Sequence, residues 1–284
     1  MKQIIINADD FGIHEVVNRG IIDGHRRGCI SSTTIMAGAN AFDQAISLAA
    51  DNPRLGVGVH LTLIGEQPVA SPGTVASLVD KDGRLPLVYP HFLRLLLAGR
   101  IRMADVRREL EAQVDKVAAT GIAVTHLDSH QHMHVVPGII EIVIDIAKRF
   151  QIKAIRIPAE PIWFFGGFPS SAGRFVGRGG LSTLAGIARR RIKKAGLKTT
   201  DHFYGMLAGG SMTEPYLLNV ISHLPHGTSE IMIHPGADDS VMTNAYGWQY
   251  NWQAELAAVT SAQLASQLVQ ERIKLISFGD LAYD

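Results

Sequence analysis

The sequence predicts an α/β fold: a single-domain β/α barrel of TIM-like type, seven-stranded or distorted, with long loops on its active face. Three observations predict it. Short β-branched runs recur along the chain, amphipathic segments of helical length separate them, and 284 residues suit one closed or nearly closed barrel. Hydrophobic residues make up 46% of the chain, enough to fill a large core, and no linker divides residues 1–284.

The elements follow in order. A first strand at 3–7 (QIIIN) precedes a helix at 15–27, and a second strand at 32–36 (STTIM) precedes a helix at 41–50. A third strand at 56–61 (GVGVHL) leads into the stretch 64–90, rich in Gly, Pro and Asp, read as an excursion from the active face. A helix at 104–119, a strand at 123–127, a helix at 137–150 and a strand at 153–157 restore the rhythm. A second excursion at 158–180 contains EPIWFFGGFPSSAGRFVGRGG, and a helix at 181–194 comes after it. A weaker strand at 200–204, a helix at 214–223, a strand at 230–233, a helix at 261–272 and a strand at 273–278 complete the pattern. Strand-then-helix alternation predicts a parallel sheet. No repeat or low-complexity tract interrupts it.

Twenty-seven basic against twenty-six acidic side chains leave a formal charge of +1, so no global field draws nucleic acid, and no nucleic-acid-binding motif is present. The single cysteine, Cys29, excludes an internal disulfide. MKQIIINADD reaches acids before a signal-peptide core could form, which predicts a cytoplasmic protein. The apolar run FLRLLLAG at 92–99 is short and broken by Arg94, so no membrane span is expected. No heptad or interface stripe stands out, leaving a monomer and a homodimer both open.

Polar residues at predicted strand ends carry the functional signal. Asp9 and Asp10 close the first strand, His60 lies in GVGVHLTL, the cluster THLDSHQHMH spans 125–134, and His234 stands in EIMIHPG. Unpaired acids resist burial, so Asp9 and Asp10 call for a cationic partner. Barrel strands converge at their C-terminal ends, where residues distant in sequence meet. His126, Asp128, His130, His132 and His134 share parity and face one side if the chain stays extended. Five ligand-type side chains on one face are hard to explain as packing. Some are expected to bind a metal and others to fix the ligands. The plainer readings are a hydrogen-bonded core histidine for His60 and a helix N-cap pair for Asp9 and Asp10, but capping would occupy one acid and leave the other unexplained.

NADDFG, GVHLTL and THLDSHQHMHVVP resemble the signature blocks of the YdjC-like carbohydrate deacetylase family. RIPAEP (156–161) and KTTDHFYGMLAGGSMTE (198–214) are more similar to its hopanoid-biosynthesis-associated branch than to its chitooligosaccharide branch. The resemblance implies a barrel-like β/α fold, a divalent metal held by Asp10, His60 and His130, and Asp9 as general base. It implies a magnesium-type centre, whereas an Asp-His-His set suits zinc, iron or manganese by ligand type. The expected reaction removes the N-acetyl group of an amino sugar, on an oligosaccharide or glycolipid, with metal-activated water. His234 is then the donor to the departing amine. His126, Asp128, His132, Arg156 and Trp163 are left to support the ligands or touch substrate.

WFFGGF (163–168) reads either as an aromatic platform for sugar or lipid or as a buried loop anchor. ARRRIKKAG (188–196) places five positive charges in two helical turns, a solvated face or a dock for anionic lipid at the inner membrane surface. FLRLLLAGRIRM (92–103) reads as a packed helix or a lipid-facing lid. A metal-dependent phosphoesterase or sugar isomerase on the same barrel is the competing enzyme reading, and a sugar- or metal-binding module the non-enzymatic one.

Overall fold

Ile4, Ile5 and Ile6 are all fully buried, the pattern of a parallel strand covered on both faces. The computed structural model describes residues 1–161, 163–164 and 172–281. Its strands are β1 (Lys2–Phe11), β2 (Ser32–Ile35), β3 (Gly56–Leu61), β4 (Val124–Ser129), β5 (Ala154–Ile155), β6 (His202–Tyr204), β7 (Gly227–Ile233) and β8 (Ile273–Leu275). The helices are α1 (Glu15–Arg27), α2 (Phe42–Ala50), α3 (Tyr89–Leu97), α4 (Met103–Ala118), α5 (Ile139–Arg149), α6 (Ala172–Lys194), α7 (Glu214–Ser222), α8 (Asp239–Tyr246), α9 (Trp252–Val259), α10 (Ala262–Gln270) and α11 (Phe278–Leu281). The helix at 15–27 and the weak strand near 200–204 stand close to their expected places. α8 and α9 occupy a stretch that the periodicity left unassigned, and α6 starts nine residues earlier than expected.

Every strand pair is parallel, in the order β5-β4-β3-β2-β1-β7-β6. The strands therefore follow one another around the wall in chain order, as in a barrel. The wall is not fully closed: between β5 and β6 the described residues supply one bridge, Ala154 to Lys198. β5 is only two residues long, and Pro158 and Pro161 beyond it lack the N–H groups that a longer ladder would need. β8 is an extra strand. It pairs with Lys2–Ile4 on the lower half of β1, while β2 pairs with Asn7–Phe11 on the upper half.

Side chains of β1 alternate between two cores. Ile4, Ile6 and Ala8 join the large cluster formed with the helices, whereas Ile5 joins Ala154, Ile276, Phe278 and Leu281. That second cluster plugs the lower end of the half-barrel with the C-terminal segment, and Phe278 N–H donates to Ser32 Oγ at 3.0 Å. The upper end is left to polar side chains.

The excursion at 64–90 is tied to α4. Glu109 accepts from the N–H groups of Val69 and Ala70 at 2.8 and 2.9 Å, and Asp105 accepts from Ser77 N–H at 3.0 Å. In the basic run at 188–196, Arg191 pairs with Glu141, and Arg189 donates to the Asp201 carbonyl at 2.7 Å. No described helix is long and apolar enough to cross a membrane.

Candidate metal centre

A β-bulge explains how two adjacent acids face one cavity. Ala8 is level with Thr33 but Phe11 with Ile35, so β1 spends three steps where β2 spends two. Strict alternation would turn either Asp9 or Asp10 outward. The extra residue and a left-handed Asp10 (φ 66°) re-aim the second acid, and both are buried, at 2% and 3% exposure. Neither serves as the helix cap, since the N-cap of α1 is His14.

Asp10 meets two imidazoles from the ends of neighbouring strands. Its Oδ1 lies 3.4 Å from His60 Nε2 and 3.2 Å from His130 Nδ1, and donor atoms of the three residues all fall within 4.8 Å of one another. The other nitrogen of His60, Nδ1, lies 2.7 Å from Asp128 Oδ1, and Thr34 Oγ1 donates to Asp128 Oδ2 at 3.0 Å. A carboxylate behind a histidine fixes its tautomer and leaves the far nitrogen for a cation. Burial disfavours an ionised Asp10, yet His130 and His60 hold its pKa well below the usual carboxylate value. Burial also opposes a charged His60, but Asp128 and Asp10 outweigh it and raise the imidazole to about 10. A cradle that pulls a proton this strongly onto His60 suits a divalent cation, and the Asp/His/His donors fit one.

Asp9, His60 and Asp128 also place donor atoms within 4.8 Å of one another. That group is already neutralised. Arg156 Nη1 lies 2.6 Å from both Asp9 Oδ2 and Asp128 Oδ2, Nη2 lies 2.6 Å from Asp9 Oδ1, and Nε lies 2.6 Å from Glu230 Oε1. Asn7 Nδ2 donates to Asp9 Oδ1 at 2.9 Å. Arg156 is the cationic partner that the paired acids demanded. It is fully buried, and among the described residues its charge is balanced by these carboxylates.

The histidine cluster does not stay extended. β4 ends at Ser129, and Gln131 and His132 adopt left-handed φ of 50° and 59°, which breaks the shared parity. His130 alone of the later histidines reaches Asp10. His134 ties the turn down instead, with Nδ1 2.6 Å from Ser129 Oγ and Nε2 2.9 Å from the Arg156 carbonyl. His132 packs at 5.8 Å against the Phe203 ring, and burial holds its pKa well below the usual imidazole value. His126 lies a layer below the centre, stacked on Phe278 at 3.8 Å and pressed against Gly58, where a Cβ would come within 2.6 Å of the ring. Burial drives His126 down to about 3, the state of a neutral floor residue.

His234 follows β7, whose Ile233 is level with Ala8, so it reaches the same upper end. Its Nδ1 has no hydrogen-bond partner among the described residues and lies 4.0 Å from Glu255 Oε2. Trp163 is 59% exposed and its ring meets Phe164 at 6.3 Å, while residues 165–168 of WFFGGF lie outside the described residues.

The periodicity gave no notice of two further features of the mouth. Glu66, just beyond β3, is pushed up to about 7 by burial and by Asp10. Trp248 stacks on His130 at 5.6 Å and 22°. The available signal was YGWQYNW at 246–252, four aromatics at alternate positions.

Fold and donor set define a parallel β/α half-barrel protein with a metal-type centre at the C-terminal ends of its strands. The chain belongs to the YdjC-like family: the family described as YdjC-like protein matches residues 3–270. It is 29% identical over 280 residues to a carbohydrate deacetylase of Brevibacillus brevis, covering 98% of this chain and 99% of that one. It is 31% identical over 281 residues to a carbohydrate deacetylase of Clostridium beijerinckii, covering 98% and 100%. A crystal structure from Enterococcus faecalis V583, provisionally described as a cellobiose-phosphate cleavage protein, has the same fold, with a TM-score of 0.78 and 24% identity over 99% of this chain and 98% of that one.

Proposed function

We propose that the protein is a metal-dependent carbohydrate N-deacetylase, a hydrolase that removes the acetyl group of an N-acetylated amino sugar. The observation that carries the reading is the convergence of Asp10, His60 and His130 beside an Arg156-held Asp9. Relatives matched along nearly the whole chain are named carbohydrate deacetylases, which supports it. RIPAEP and the segment 198–214 favour an N-acetylglucosaminyl lipid of the hopanoid type as substrate.

Asp10, His60 through Nε2 and His130 through Nδ1 would hold the ion. When bound, it supplies Lewis acidity toward the acetyl carbonyl and toward water. Asp9 takes the proton of the attacking water, and the two-pronged grip of Arg156 fixes the carboxylate in the orientation that this transfer needs. His234 would hold the proton for the departing amine, with Glu255 Oε2 4.0 Å from its Nδ1. Thr34 and Asp128 hold His60 in one tautomer throughout.

The test is acetate release from a panel of N-acetylated sugars and glycolipids, with sugar phosphates alongside, after chelation and re-addition of single metals. Acetate from the acetylated sugars that disappears on chelation and returns with zinc, manganese, iron or magnesium is expected. Turnover untouched by complete metal removal ends the proposal.

A further inference from the structure

Tyr246, Trp248, Tyr250 and Trp252 form a row. Successive ring centroids are 5.0, 5.7 and 5.4 Å apart, with tilts of 39°, 41° and 39°. The row touches the centre twice: Trp248 stacks on His130, and Tyr250 stands 5.1 Å from the His234 ring at 64°. One continuous aromatic strip therefore links a metal-type donor to the histidine assigned to the amine.

The backbone around the row is built to hold it. Trp252, at 1% exposure, is the anchor: it packs on Gly236, where a Cβ would come within 2.9 Å of its own, and its carbonyl accepts from Gly236 N–H at 3.1 Å. Tyr250 lies against Gly210, where any Cβ would sit 2.3 Å from the ring, and Asn251 N–H donates to the Gly210 carbonyl at 2.8 Å. Tyr246 Oη donates to the Ile13 carbonyl at 3.0 Å, beside the bulge that aims Asp10. Tyr246, Trp248 and Tyr250 nevertheless stay half-buried. Three large rings fixed in a row at the mouth, with apolar surface left in water, present a preorganised face for a ligand.

Resting on the deacetylase reading, we infer that Trp248 and Tyr250 are the platform on which a pyranose ring of the substrate stacks, carrying its acetamido group between His130 and His234. The chemistry favours a sugar over an acyl chain. A pyranose offers an apolar C–H face to the rings and hydroxyls to its edges, and this strip has polar edges, since Gln249 and Asn251 are exposed along it. An alkyl chain would cover those groups without hydrogen-bonding them. Among the described residues, Trp163 has no ring contact with the centre.

The experiment is calorimetric titration of the zinc-loaded protein with N-acetylglucosamine, its β-1,4-linked dimer and, as a sugar-free probe, N-methylacetamide, with acetate release measured in parallel. Wild type is compared with Trp248→Ala, Trp248→Leu, Trp248→Phe and Tyr250→Ala. Sugar affinity is expected to fall about tenfold in Trp248→Ala and Trp248→Leu and to stay within about threefold of wild type in Trp248→Phe. Trp248→Leu keeps apolar bulk against His130, so its metal content by atomic absorption stays that of wild type while the flat face is gone. In turnover the loss falls on KM rather than kcat, and the response to N-methylacetamide does not change. Wild-type sugar affinity in folded Trp248→Leu and Tyr250→Ala variants would overturn the platform, as would a wild type that binds neither sugar. Sugar binding that depends on Trp248 without acetate release would instead sink the deacetylase and leave the platform standing.

Discussion

Asp9 and Arg156 meet in a two-pronged ion pair, two N–H groups donating to two carboxylate oxygens at 2.6 Å each, inside a barrel where both side chains are buried. The pairing fixes the carboxylate's orientation, and among the described residues the guanidinium is neutralised by Asp9, Asp128 and Glu230. Asp9→Asn removes the proposed proton acceptor while retaining most of the shape. Turnover is expected to fall by about 100- to 10,000-fold, with bound metal and sugar affinity near wild type. Arg156→Met strands three buried carboxylates, and a loss of about 3–5 kcal/mol in urea unfolding is expected. An Asp9→Asn variant with full turnover would remove Asp9 from the chemistry.

Metal uptake at Asp10, His60 and His130 is expected to be linked to a proton. With His60 raised to about 10 by Asp128 and Asp10 against the pull of burial, the metal-free ring is doubly protonated near neutral pH. A cation at Nε2 has to displace that proton. Close to one proton released per ion is expected, with affinity rising up to about tenfold per pH unit until about pH 10. Calorimetry in buffers of different ionisation heats measures the release directly; uptake without proton release would place the ion elsewhere.

Asp128→Asn tests the support behind His60. Asparagine can still accept from Nδ1–H but lacks the charge that makes Nε2 a stronger donor to a cation. Metal affinity is expected to drop by about 10- to 100-fold, and the proton count at neutral pH to fall with it, because Asp128 is the main upward pull on His60. Equal affinity in the two proteins would assign Asp128 to holding Arg156 alone.

Residues whose chemistry conflicted with their surroundings were legible in the sequence. Asp9 and Asp10 at the end of an apolar run had no packing role to fill, and His60, which alone reads as a hydrogen-bonded core histidine, gained a ligand reading in their company; the structure gathers all three at one end of the barrel wall. Regular periodicity likewise marked α1 and β1. Features that depend on backbone irregularity or distant partners were hidden. Nothing in NADDF marks a bulge with Asp10 at positive φ, and nothing in SHQHMH shows the chain leaving β4 at Ser129. His126 looks like its neighbours in sequence; Gly58 and Phe278, both distant along the chain, give it a place in the floor beneath them. The aromatic row runs from the last residue of α8 to the first of α9, where neither a helical nor a strand period draws notice to alternate rings.

Glu230 makes the buried network pH-sensitive. One oxygen faces Arg156 Nε, while Oε2 has no hydrogen-bond partner among the described residues. Burial outweighs the attraction of Arg156 and pushes the carboxyl up to about 7. In the unfolded chain it ionises near its ordinary value of 4.5, so between 4.5 and about 7 the folded state holds a proton that the unfolded state has lost. The stability that this proton contributes is fully present below 4.5 and is lost as pH rises through about 7, at up to about 1.4 kcal/mol per pH unit. Glu230→Gln keeps an oxygen for Arg156 Nε and cannot ionise. The variant is therefore expected to gain on wild type steadily from pH 5 to pH 7 in urea unfolding and to hold a constant margin above that. A difference independent of pH across the window would mean that Glu230 stays ionised beside Arg156, and that the guanidinium balances a full third charge.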